Sequence, residues 1–333
     1  MRSLLNSLKR DYGAFGLLVL AMALVGSNVP IGKLIVADVS VLVFLSLRFV
    51  IATVALVIIA RPTVWDEIRN IDRRDAGGIV AIALFGSILF TLLILEGTAR
   101  TTAASAGLIT ATLPAVVSAL AVVFLKQPLT RAAVVCIGLA VTGLVIMQFS
   151  AGGALPGAVA SAPLIGNVLV LAAVVCEAIY VIVSGRAARG LSPIALSLVV
   201  SVVALIGSLP ITVYALTFTR VPDVDLWLWI AIVWYALAAS VFSTISWYAG
   251  ARHATAWQAG IATTALPLSA VGVAVLFLGE QLTAAQVVGG GCVVAALVLG
   301  ARAARQSRTV SSAASMANTT DQPAGHVKVS SRD

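Results

Sequence analysis

Charge is what this chain has least of. Asp, Glu, Lys and Arg make up 10% of its 333 residues, against 60% hydrophobic ones, and the mean hydropathy is +1.08. A soluble domain is about one-quarter charged and cannot hide this much apolar surface. Length alone would suggest two soluble domains, but composition excludes them. Histidine is nearly missing: His253 falls in a loop and His326 in the C-terminal tail. The three cysteines, Cys136, Cys176 and Cys292, all lie inside apolar runs. They have no metal-ligand spacing, imply no disulfide framework, and read as small core hydrophobes. There is no HExxH, no nucleophile–base pair and no paired intramembrane aspartates. Nothing therefore points to an enzyme, a metal site or a cofactor. The net charge of +8 is no nucleic-acid signal either, because the basic residues sit in short loops and the tail.

What is present is a duplicated stretch. Gly97 to Thr130 reads GTARTTAASAGLITATLPAVVSALAVVFLKQPLT, and Gly250 to Thr283 reads GARHATAWQAGIATTALPLSAVGVAVLFLGEQLT. They align without a gap at an offset of 153 residues, and 21 of 49 pairs are identical when the match is carried to Val145. This is an internal duplication. Each copy is apolar for most of its length and carries a proline partway along, Pro114 or Pro267.

A helix needs about 20 apolar residues to cross a bilayer. Ten segments qualify: 13–33, 39–60, 77–97, 103–125, 130–149, 164–185, 194–217, 227–249, 255–277 and 283–301. The first is an uncleaved helix and not a signal peptide, since no cleavage site follows it. With the N-terminus in the cytoplasm, 17 of the 21 Lys and Arg fall on the inner side. Lys33, Arg100 and Arg220 fall at the outer side, and Arg48 lies within a span. This asymmetry predicts both termini inside. The expected fold class is all-α integral membrane, with ten transmembrane helices as two inverted five-helix repeats. Five spans per copy is an odd number, so the second copy must cross in the opposite sense. The expected organisation is a cytoplasmic segment 1–12, a first repeat 13–149, and an uncharged external linker 150–163. A second repeat 164–301 and a disordered cytoplasmic tail 302–333 follow. Inverted repeats supply two quasi-equivalent conformations with a site at their interface near the midplane, which points to a transporter.

Several residues carry a closer resemblance. The second copy closes on LFLGEQLT, with Gly279 and Glu280; the first closes on VFLKQPLT, with Lys126 and Gln127 instead. GSNVPIGK spans Gly26 to Lys33, and Arg48–Phe49 forms an arginine–aromatic pair in the second span. With the paired mid-helix prolines, these features resemble a bacterial drug/metabolite transporter of the EamA type over about residues 12–303. The resemblance implies an inner-membrane secondary transporter with a central cavity lined by helices one to four and six to nine. It implies movement of small metabolites, amino acids or amphipathic compounds, with export favoured. A passive channel or an importer is the alternative.

Candidate site residues follow from polarity inside the spans. An arginine at mid-membrane costs about 2.5–3.5 kcal/mol on insertion scales, so Arg48 must face a cavity or a partner. It reads either as a counter-ion for a substrate carboxylate or as a structural clamp between helices. Glu177, in VVCEAIYVIV, reads as a proton carrier, a ligand for a substrate amine, or a structural partner of Arg48. Tyr180 shares its helix face. Asn28, Trp247, Trp257 and Gln258 complete the expected cavity lining. Pro30, Pro114 and Pro267 are expected hinges or kinks, because proline removes a backbone donor. Glu96, Arg100 and Glu280 are expected at a gate or at helix ends. Expected partners are a small-molecule substrate, the lipid bilayer and protons as coupling ion, with no nucleic acid. The oligomeric state is left open, a homodimer included.

Overall fold

The computed structural model describes residues 2–28, 31–32, 35, 38–98, 100–101, 109–127, 129–151, 163–218, 225–278 and 283–320. Pro30, Lys33 and Glu280, named above, lie outside them, as do most of linker 150–163 and residues 321–333.

Among the described residues there are helices and no strands. Backbone groups in hydrocarbon must be satisfied within their own segment, and a helix does this locally. The first repeat contains α1 (Arg2–Ser27), α2 (Val41–Ile59), a short α3 (Pro62–Arg69), α4 (Arg73–Ala83), α5 (Phe90–Thr98), α6 (Leu113–Leu125) and α7 (Arg131–Ala151). The second contains α8 (Pro163–Gly190), α9 (Pro193–Leu216), α10 (Leu226–Leu237), α11 (Ser243–Ala251), α12 (Ala256–Ala262), α13 (Ala265–Leu278) and α14 (Ala284–Thr320). Among the described residues six segments are long and apolar enough to span a membrane alone: 41–59, 75–94, 164–187, 193–216, 226–251 and 284–303. Gly13–Ser27, Leu113–Leu125 and Arg131–Met147 are apolar but shorter.

The surface is that of a membrane protein. Large apolar side chains such as Ile58, Phe124, Val213 and Leu276 stand exposed, Leu276 at 79%. In water such a surface would aggregate; in a bilayer it faces lipid. Trp227 and Trp229 are exposed at the start of α10, as interfacial tryptophans are, and Trp234 is exposed two turns further along.

The two repeats exchange contacts reciprocally. Helix α1 packs on α11 and α13 of the other repeat, and α8 packs on α5 and α6. The equivalent pair α2 and α9 pack together, and so do α7 and α14. Small residues allow these approaches. A Cβ on Gly289 would lie 2.5 Å from the Gly143 carbonyl oxygen, and one on Gly143 would lie 2.6 Å from that of Gly289. Hydroxyls then tie helices laterally. Ser46 Oγ lies 2.8 Å from Ser208 Oγ and 2.6 Å from Thr212 Oγ1, joining α2 to α9.

Each repeat has a π-helical turn in its third helix, at Leu84–Leu89 and at Ala238–Phe242. A π turn shifts the hydrogen-bond register and frees backbone groups. Threonines a turn later compensate: Thr91 Oγ1 donates to the Ser87 carbonyl (2.6 Å) and Thr244 Oγ1 to the Ser240 carbonyl (2.8 Å). These two pairs stand at the same offset of 153 as the duplication. Equivalent caps recur as well. Thr130 Oγ1 accepts from Ala133 N, and Thr283 Oγ1 from Gln286 N, each at 3.2 Å.

The chain departs from expectation in three places. The fourth and ninth spans are broken at their prolines, by turns at Ala111–Thr112 and Thr263–Thr264, and are not continuous kinked helices. The charged loop 61–76 contains α3, opened by Pro62 at its first position, where the missing N–H costs nothing. Residues 302–320, expected as disordered tail, continue α14 as helix to Thr320. The run ARAARQ consists of strong helix formers and extends an existing helix without a new nucleation step.

Candidate functional site

The two helix breaks face one another. Between them lies a cavity of about 350 Å³, lined by Thr110, Leu113 and Pro114 of the first repeat and by Thr263, Leu266 and Pro267 of the second. These are three pairs at the offset of 153. The cavity therefore sits on the pseudo-symmetry of the duplication. Met22, Phe90, Leu144, Met147 and Val174 supply apolar walls, and Ile94 and Gln286 also line it.

Glu177 of α8 lines this cavity, and it is the one acidic or basic side chain among the described lining residues. Its carboxylate has no hydrogen bond and no ion pair among the described residues. Arg48 does not meet it. The Arg48 guanidinium carbon sits 4.6 Å from the centroid of the adjacent Phe49 ring, and its buried Nε has no hydrogen-bond partner among the described residues. Arg48 lines neither this cavity nor the second one described below.

One turn along α8 from Glu177, an aromatic layer begins. Tyr180 stacks on Trp247 of α11, with ring centroids 6.0 Å apart and planes 18° apart. Trp247 Nε1 donates to Ser184 Oγ at 3.0 Å, which fixes the indole in its buried position. Tyr248 is buried beside it, within electrostatic reach of Tyr180 and Glu177. Tyr180 fits only because position 86 in the π turn is glycine: a Cβ there would lie 2.4 Å from Tyr180 Cδ2. Beyond the layer, Val181, Ile182, Gly185, Arg186 and Arg189 of α8, with Ala251 of α11, line a second cavity of about 180 Å³. Along α8 the order is thus cavity, aromatic layer, basic cavity.

The remaining candidates lie elsewhere. Asn28 is fully buried at the end of α1, its Nδ2 donating to the Leu24 carbonyl at 2.8 Å and its Oδ1 unpartnered. Gln258 Oε1 accepts from Thr255 N at 2.8 Å and so caps α12. Trp257 packs into the main apolar core. Glu96 and Arg100 pair with each other one turn apart, and Arg100 Nη1 also donates to the Glu96 carbonyl at 2.8 Å. The structure thus brings together Glu177, Pro114 and Pro267, with Tyr180 and Trp247 next to them. It leaves Arg48, Asn28, Trp257 and Gln258 outside that cavity. Thr110 and Thr263 were missed by the sequence reading. The signal was there, as T-x-x-L-P recurs in both copies at Thr110 to Pro114 and Thr263 to Pro267.

Residues 13–149 and 164–301 each match the EamA-like transporter family. The chain belongs to that family. It is a multi-pass membrane protein of the drug/metabolite transporter kind. It is 30% identical over 288 residues to the uncharacterized transporter YetK of Bacillus subtilis (strain 168), covering 86% of each chain. It is 25% identical over 252 residues to an uncharacterized transporter of Archaeoglobus fulgidus, covering 75% of this chain and 84% of that one. A protein of known crystal structure, 17% identical, superposes with a TM-score of 0.71 over 87% of this chain and 97% of its own, a likeness of fold. For an EamA-like protein, two family matches in one chain agree with the duplication seen in the sequence and in the exchanged packing.

Proposed function

We propose that this EamA-like protein is a bacterial inner-membrane secondary transporter that moves small metabolites, amino acids or amphipathic compounds by alternating access, with export favoured. Ten crossings in two inverted repeats place both termini in the cytoplasm. One observation carries the reading: the larger cavity is lined by three residue pairs equivalent in the two repeats. A site on a pseudo-two-fold axis sees the same groups whichever repeat rocks, so it can face either side of the membrane in turn. The broken helices beside it and the two π turns supply places where the backbone can bend. The aromatic layer of Tyr180, Trp247 and Tyr248 separates this cavity from the basic one at the end carrying Arg186 and Arg189. A carrier needs such a barrier, whereas an open channel would lack it.

Proton coupling belongs to the same proposal. Glu177 is the titratable side chain facing the cavity among the described residues, and Cys176, Tyr180 and Tyr248 are ionisable groups next to it. Reconstitution into vesicles tests the reading. Saturable flux stimulated by substrate on the opposite side supports a carrier; linear, unsaturated flux without counterflow favours a channel. E177Q transport that keeps its full pH dependence removes the proton role from Glu177.

A further inference from the structure

Among its described lining residues the cavity has one charge and no counter-charge. Glu177 enters it from α8, and no Lys, Arg, His or Asp accompanies it among the described lining residues. Arg48, the intramembrane cation nearest in sequence logic, is turned to the Phe49 ring. The other polar lining groups are partly occupied already: Thr263 Oγ1 donates to the Gly260 carbonyl at 2.6 Å, and Gln286 Oε1 accepts from Thr283 N at 2.9 Å. An unpaired carboxylate in an apolar, water-poor site is strongly destabilised, and a proton or an approaching cation relieves it.

On the reading of this cavity as the substrate site, we infer that the substrate is a small organic cation, an ammonium group on an apolar body. The ammonium seats on the Glu177 carboxylate. The body lies against Met22, Phe90, Leu113, Leu266 and Val271, which are carbon-rich and present no competing donors. Two of them, Leu113 and Leu266, are repeat mates, so the apolar contact persists whichever repeat moves. The volume of about 350 Å³ is at the small end for ligand cavities, which run from about 300 to 1,000 Å³, and sets a compact body. A substrate with net negative charge meets repulsion from Glu177 and finds no cationic side chain among the described lining residues to offset it. A zwitterion has only its amine provided for, and its carboxylate is left in an apolar wall at a cost. A proton and the ammonium compete for one group, so a single residue both selects the substrate class and can link it to proton movement.

The test uses the purified full chain in nanodiscs and sets of matched ligands: arylalkyl ammonium ions, primary to quaternary, each with an alcohol and a carboxylate on the same body. Binding is read by thermal shift and by tryptophan fluorescence. The ammonium members are expected to bind at least about tenfold tighter than their alcohols, with the carboxylates weakest. E177Q is expected to lower ammonium affinity to that of the alcohol and to leave the alcohol unchanged. Alcohols or carboxylates binding as tightly as the ammonium ions would overturn the inference, as would ammonium affinity unchanged in E177Q or no ammonium member binding at all. The comparison among ligands on the unsubstituted protein decides the matter even if E177Q does not fold. Vesicle counterflow keeps the two readings apart. Carrier flux of an anion or zwitterion that the ammonium set does not compete with overturns the cation class and leaves the transporter intact. Ammonium binding without carrier flux does the reverse.

Discussion

The first and second repeats are alike where the cavity is built and unlike where it is charged. Thr110, Leu113 and Pro114 are matched residue for residue by Thr263, Leu266 and Pro267. The carboxylate is on one side only: α8 brings Glu177, whereas the corresponding span of the first repeat, 13–33, has no Asp or Glu. Third helices differ in the same way. Gly86 in one π turn makes room for Tyr180, and its mate at the same offset is Ala239. Shared residues make a symmetric container, and unshared ones give it a polarity and a chemical preference. A rocking mechanism needs the first, and selecting an asymmetric substrate needs the second.

The strongest way to break the comparison is to remove the one-sided charge. E177Q is expected to reduce transport of a cationic substrate to the level of empty vesicles while the protein keeps its elution profile in size-exclusion chromatography.

Next is the crossing of α1 with α13. A Cβ on Gly26 would lie 2.0 Å from the Leu266 carbonyl oxygen and 2.1 Å from Ser269 Oγ. The oxygen is backbone and cannot swing aside, so G26A should cost about 3 kcal/mol, seen as a clear fall in melting temperature. Its effect on transport should follow, because Leu266 lines the cavity.

G86A sharpens the difference between the two π turns. The clash is with an aromatic ring that can tilt, so the expected cost is about 1–2 kcal/mol. Changed tryptophan fluorescence is the specific readout, since Tyr180 stacks on Trp247. Substitution of the mate, Ala239→Gly, should leave that signal unchanged.

Smaller still is the effect at the end of the fourth helix. Lys126 caps α6 with φ 53° and ψ 31°, the left-handed region, and is the one non-glycine residue with positive φ among those described. The second copy has Gly279 at this place. A glycine adopts that conformation without the Cβ penalty. K126G should therefore raise stability by about 0.5–1 kcal/mol despite its greater freedom when unfolded, measured as a higher melting temperature. Last comes Glu96→Gln. Its pair with Arg100 has both side chains well exposed, at 39% and 59%, and such pairs contribute about 0–1 kcal/mol. The melting temperature should barely move.

Most of the fold was legible in the sequence because its signals are local or repetitive. Membrane residence follows from the scarcity of charge, and the duplication from an ungapped match. The places of the helix breaks were open to reading from Pro114 and Pro267, although a bend and not a break was expected there. The π turns were not. They depend on a hydrogen-bond register that Gly86 and Ser87 permit but do not dictate, and on Thr91 and Thr244 recovering the displaced carbonyls.

The site was legible only in part. Polarity inside a span marks a residue as costly and hence constrained, and it drew attention equally to Arg48, Asn28, Glu177 and Gln258. It does not say which of them share a space. Gln258 is absorbed by a helix cap, and Arg48 by a ring on its own helix. Glu177 alone of the four reaches the cavity.

What the sequence determined by itself was class, duplication and the identity of every costly polar group, since transfer free energy and periodicity belong to the chain. What the tertiary structure decided was which groups meet. The rotation of each helix about its axis and its choice of neighbours are set by close packing between segments far apart in the chain, at glycines such as Gly26, Gly86, Gly143 and Gly289. That packing put Thr110 and Thr263 on one cavity, left Arg48 outside it, and gave Glu177 no ion-pair partner among the described residues.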